Sequence, residues 1–129
     1  LRKRLFQENG LLISVSLDNQ NGNRGFGHEF DKLLVVVGDL QYFNRDREVF
    51  QVFIDGGMYA MRLLDCLQYF GIATCPLSAS LFYNQEKNVR SILNMPDSEM
   101  LIMFIGIGNY PEICQTTKSE RHAPYTVVI

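Results

Sequence analysis

The chain has 129 residues, of which 47% are hydrophobic and 20% charged, the composition of one globular domain with a core of its own. A formal net charge of −2 speaks against binding nucleic acid or an anionic membrane surface through bulk charge. No apolar run approaches the ~20 residues needed to span a bilayer, so neither nucleic acid nor membrane is an expected partner.

The N-terminal "LRKRLFQENG" is basic at its start but lacks an apolar stretch behind it, and does not read as a signal peptide. Because it opens on Leu1 rather than Met, the sequence reads as a fragment or a processed chain. A turn at Asn9-Gly10 leads into a strand-like run, Leu11 to Leu17, with Ile13, Val15 and Leu17 at period two. "NQNGNRGFGHEF" follows as a loop in which Gly22, Gly25 and Gly27 permit positive φ. "DKLLVVVGDL" is a continuous β-branched run, the mark of a strand covered on both faces.

A helix is predicted from Asp46 to Phe70, with Asp55 capping its most apolar portion. Arg62, Asp65 and Gln68 form its only obvious polar strip, so it must be covered on most sides, and a partner subunit is the expected source of that cover. Gly71 closes it as a C-terminal cap. In "GIATCPLSAS" a four-residue extended piece is then interrupted by Cys75-Pro76 before a row of small residues. A second, more polar helix is predicted from Asn84 to Leu93, stopped by Pro96. "EMLIMFIGIGNY" reads as a fully buried strand, and "YTVVI" as a closing one. The pattern is α+β with one sheet, a single domain over residues 1–129.

Few residues carry obvious chemistry. Cys66, Cys75 and Cys114 have no CxxC spacing, and the odd count disfavours disulfides and zinc; they read as reduced, small hydrophobes in a cytoplasmic protein. No metal site is expected. His28 and His122 lack partners at triad spacing, and the scattered acids offer no acid/base pair, so no catalytic side chain is assigned. Gly106 and Gly108 make a G-x-G pattern, but Pro111 stands where a dinucleotide fingerprint needs glycine, and the two glycines read instead as allowing close packing at a strand end. Lys118 and Arg121, in "TTKSERHAP", either clamp a phosphate or are solvated surface charge. Pro76 removes one donor and holds φ, after which Leu77, Ser78, Ala79 and Ser80 offer main-chain N–H groups with little bulk beside them. That stretch is either an ordinary buried turn or an edge against which a flat, polar-rimmed ligand packs, with Leu77 on its apolar face.

Taken in order, "DGGMYAMRLLDCLQYFGIATCPLSAS", "NVRSILNMPDSEMLIMFIGIGNYPE" and "KSERHAPYTVVI" resemble the nitroreductase family of FMN-dependent NAD(P)H oxidoreductases, most closely from about Phe53 onward. The resemblance implies a mixed sheet flanked by helices, a homodimer built on the long helix, and a C-terminal strand exchanged between subunits. It implies FMN as cofactor, with Pro76, Leu77, Ser78 and Ala79 against the reactive N5 side of the flavin and the Ser78 amide as donor. Lys118 and Arg121 would hold the FMN phosphate. NAD(P)H would supply electrons to a small acceptor such as a nitro compound or a quinone. The family's Arg-Arg-Ser phosphate motif and the Ser/Asn-rich stretch beneath the flavin have no counterpart, so the N-terminal portion is expected to be missing. The alternative is a flavin-free scaffold of the same fold serving as a binding or interaction module.

Overall fold

Two β-branched and apolar runs, "KLLVVVGD" and "EMLIMFIGIG", pair with each other and make the centre of the sheet. The computed structural model describes residues 3–6, 32–43, 48 and 50–113. The elements are β1 (Lys3–Phe6), β2 (Lys32–Asp39), a 3-10 turn (Leu40–Tyr42), α1 (Gln51–Tyr69), β3 (Ala73–Ser78), α2 (Tyr83–Ile92) and β4 (Glu99–Gly108). The strand order is β1-β2-β4-β3, and each pairing is antiparallel. β2 and β3 therefore run the same way with β4 between them, and α1 is the crossover that joins them. The α+β architecture expected from the sequence is present. The expected strand at Leu11 to Leu17, the glycine-rich loop and the "YTVVI" tail lie outside the described residues. β1 was not anticipated: its four residues include two cations and show no apolar period.

One irregularity sorts the core. Val36 pairs with Met103 and Val37 with Leu101, so Ile102 is the extra residue of a β-bulge. Leu101 and Phe104 thereby join Leu33, Val35 and Val37 on one face, where Val89 and Leu93 of α2 cover them. Ile102, Met103, Ile105 and Ile107 join Leu34 and Val36 on the other, beneath Tyr59, Ala60, Leu63 and Leu64 of α1. Burial of large side chains such as Phe104 and Ile105 contributes roughly 1.5–3 kcal/mol each, and among the described residues β2 and β4 supply Leu33, Phe104 and Ile105, half of the largest fully buried ones.

α1 starts at Gln51, later than the predicted Asp46, and it presents Val52, Gly56 and Ala60, four residues apart, to the sheet. Small residues are needed because Ile102 stands out of the bulge into this seam: a Cβ on Gly56 would overlap the Ile102 side chain. Asp55 is not a cap. It lies in the second turn and accepts from Gln51 Nε2 at 2.8 Å, while Phe50 at the N-cap makes no side-chain bond. The predicted polar strip of Arg62, Asp65 and Gln68 is exposed. So is an apolar strip of Phe53, Ile54, Met58 (61% exposed) and Met61.

α2 spans Tyr83–Ile92, close to its predicted bounds, but Pro96 does not end it. Asn94 takes a left-handed conformation (φ 48°), and the Met95 N–H returns to the Arg90 carbonyl at 2.9 Å, a Schellman closure two residues before the proline. No described helix is long and apolar enough to cross a membrane.

Candidate functional site

The end of α1 fixes where β3 begins. Gly71 has φ +72° and sits at the position after the cap; its N–H reaches the Gln68 carbonyl at 3.0 Å, and the Ile72 N–H reaches that of Leu67 at 3.0 Å. This Schellman turn, predicted from Gly71, reverses the chain into the sheet within two residues.

β3 then runs unbroken through Cys75-Pro76 to Ser78, paired with β4 from Ala73↔Gly108 to Ser78↔Met103. The expected interruption at Cys75-Pro76 does not occur, because β3 is an edge among the described strands. A proline keeps its place in an edge ladder where its nitrogen points out of the sheet, so no hydrogen bond is lost. The two-residue period gives Ser78 the same orientation, which aims its N–H out of the edge rather than at β4.

Burial alternates with the same period and continues past the strand. Cys75, Leu77, Ala79 and Leu81 pack against the core under α2. Pro76, Ser78, Ser80 and Phe82 are exposed. Leu77, at 3% exposure, is thus an anchor: its side chain is held in the core and does not lie on a ligand-facing surface, so its offering to a ligand is main chain only. The Ser80 N–H donates to Ser78 Oγ at 3.1 Å and the Phe82 N–H donates to Gln85 Oε1 at 2.9 Å, which pins the strip at two points. Pro76, Leu77, Ser78 and Ala79 are therefore brought to one sheet edge. Lys118 and Arg121 lie outside the described residues.

Arg90 was not singled out in the sequence, yet it holds α2 in place behind the strip. Its Nη1 donates to the Glu99 carbonyl at 3.0 Å and its Nη2 to the Pro96 carbonyl at 2.9 Å, with Glu86 one turn back at 3.6 Å. An arginine in the last turn before a stop is the available signal for such a fork. Gly106 and Gly108 both lie within β4, with no helix following them among the described residues; a Cβ on Gly108 would meet open space, so close packing does not call for glycine at that position. Burial raises the Cys75 thiol above its ordinary value, which keeps it protonated and unreactive at neutral pH. Among the described residues no three His, Cys, Asp or Glu side chains are grouped to hold a metal ion.

Two cavities lie elsewhere. One of about 280 Å³ touches Lys32, Ile72, Ile107 and Asn109 at the far end of β3. The other, about 660 Å³ and open, follows the outer side of α2 past Tyr83, Lys87, Arg90 and Asp97. The edge at Pro76 to Ala79 lines neither of them.

Solved structures share this arrangement. An FMN-dependent nitroreductase from Clostridium difficile superposes with a TM-score of 0.71 at 17% identity, over 98% of this chain and 72% of that one. The chain has the nitroreductase fold. A nitroreductase-like protein from Streptococcus mutans matches with a TM-score of 0.72 at 14% identity, over 98% of this chain and 74% of its own. A Staphylococcus epidermidis protein, provisionally named an NAD(P)H:FMN oxidoreductase, matches at 0.71 and 18% identity, over 98% and 73%. No family model matches the sequence, and no curated protein does. What this chain shares with these nitroreductase-fold proteins at such identities is therefore architecture.

Proposed function

We propose that the chain acts as an FMN-dependent oxidoreductase that takes electrons from NAD(P)H and passes them to a small acceptor such as a nitro compound or a quinone. The observation that carries this reading, beside the nitroreductase fold, is the edge at Pro76 to Ala79: an outward main-chain amide at Ser78, flanked by exposed residues too slim to obstruct a flat ring. The fit is chemical as well as steric. The polar edge of an isoalloxazine needs a fixed donor, and an amide held in a paired strand costs little further ordering when it binds. FMN, when bound, supplies two-electron transfer chemistry that no side chain of the protein offers.

The protein's own part is positioning. Leu77 anchors the strip in the core, Pro76 leaves the neighbouring edge position without a competing donor, and the Ser78 N–H orients the ring. Lys118 and Arg121 hold the phosphate, each charge-assisted contact contributing about 1.5–3 kcal/mol. The bare apolar face of α1 is where we place a homodimer contact, and the second subunit would wall the ring edge that one chain leaves open.

The test is direct. Protein from the complete reading frame should purify yellow, with flavin absorbance, and Lys118→Ala with Arg121→Ala should weaken FMN binding. Ser78→Ala keeps the amide and should leave FMN affinity unchanged. Ser78→Pro loses the outward N–H as well as the Oγ that Ser78→Ala also loses, so measured against Ser78→Ala it should bind FMN roughly tenfold more weakly for the lost hydrogen bond. Colourless protein that cannot be reconstituted with FMN would instead favour a flavin-free interaction module.

A further inference from the structure

Three strand ends meet at the end of the sheet remote from Ser78. β2 begins there, β4 ends and β3 begins, with Lys32 paired to Ile107 and Ala73 to Gly108. The cavity of about 280 Å³ opens at this junction. Ile72 lines it from just before β3, Ile107 and Gly108 from the end of β4, Lys32 from the start of β2, and Asn109 from just past β4. Ser78 lies five residues along β3 from Ala73, roughly 17 Å at the rise of an extended strand, so this cavity is separate from the flank where the flavin is placed.

The lining divides by chemistry. Ile72 and Ile107 are half-buried and supply apolar wall. Lys32 and Asn109 are exposed; among the described residues no carboxylate pairs with Lys32, and the Asn109 side chain makes no hydrogen bond. At Gly108 a Cβ would meet nothing within 4 Å, so the strand end leaves room beside the main chain. One ammonium and one side-chain amide thus line the same small space as two isoleucines. An organic carboxylate matches that set: one negative charge, two acceptor oxygens for the two donors, and an apolar body to lie against the isoleucines. Inorganic phosphate carries more charge than a single cation balances and has no apolar part to cover the walls. The volume falls just below the ~300–1,000 Å³ of clefts that take drug-sized ligands, which sets the ligand as a small one. We propose that this cavity is a binding site for a small carboxylate with an apolar body, held by Lys32 and Asn109. The site stands independently of the flavoenzyme reading.

Amide-resolved NMR on protein from the complete reading frame, as purified, tests it. Benzoate is the probe; benzamide keeps its shape without the charge, and acetate keeps the charge without the ring. Benzoate should shift the Gly108 and Asn109 amide signals saturably, and benzamide and acetate should both bind more weakly. Lys32→Gln should weaken benzoate binding roughly 3- to 10-fold, the lower end reflecting an exposed charge, and Lys32→Arg should retain it. Lys32 is exposed, so neither variant removes a core contact, and an unchanged thermal melt confirms it. Benzoate shifts confined to Ser78 and Ala79 would place the anion at the flavin flank and overturn the proposal. Equal binding of benzamide, unchanged benzoate binding in Lys32→Gln, or no saturable shift at Gly108 and Asn109 overturns it as well.

Discussion

Gly56 and Gly57 are adjacent in α1, and the fold gives them opposite fates. Replacing either by Ala improves helix propensity by about 1 kcal/mol. At Gly57 a new Cβ meets nothing within 4 Å, so that gain should appear whole. At Gly56 the Cβ overlaps Ile102 Cδ1 and lies 3.0 Å from Cγ2 and 3.3 Å from Cγ1. Rotation about χ2 can withdraw Cδ1. Cγ2 and Cγ1 both branch from Cβ and cannot retreat together, so the helix must lift by a few tenths of an ångström. Overpacking of this kind costs about 1–3 kcal/mol, which leaves Gly56→Ala between neutral and about 2 kcal/mol destabilised. The two variants should differ by about 1–3 kcal/mol in urea unfolding at fixed protein concentration, with Gly57→Ala shifted to a higher midpoint. Ile102→Ala, itself costing about 2–5 kcal/mol, removes both Cγ atoms with Cδ1 and should make Gly56→Ala less harmful by at least about 0.5 kcal/mol in a double-mutant cycle. Equal stabilisation by the two alanines, with no coupling to Ile102, would refute the bulge-into-helix seam.

Two further outcomes are expected. Met58→Asp, at an exposed position, should leave the subunit's circular dichroism intact but shift sedimentation toward monomer; an unchanged assembly would remove α1's outer face as the homodimer contact. Burial raises the Cys75 thiol, so the folded state holds that proton more tightly than the unfolded chain. The associated stability is present below the unfolded thiol's value, about 8.5, and is lost as pH rises through the folded one. Urea midpoints from pH 7 to 10.5 should therefore fall more steeply for the parent than for Cys75→Ala, and parallel declines would show that Cys75 is not desolvated.

The sequence by itself determined the features that depend on local chemistry. The run at Lys32 to Asp39 and the run at Glu99 to Gly108 read as two-sided strands because their interiors, Leu33 to Val37 and Met100 to Ile105, are unbroken apolar stretches, and both became central. Gly71 was legible as a helix stop because only a residue without a Cβ enters the left-handed region readily. The row of small residues after Pro76 was legible as slim, and the resemblance of the segments around it led to the nitroreductase fold. Other features needed the tertiary structure. That Cys75-Pro76 continues a strand depends on β3 being an edge, which is a property of strand order and not of the dipeptide. That Leu77 is an anchor and Phe82 is exposed depends on which side α2 covers. The bulge at Ile102, and with it the need for Gly56, arises from a register shift between strands more than sixty residues apart in the chain, and no pattern within either strand encodes a pairing that exists only when both are present.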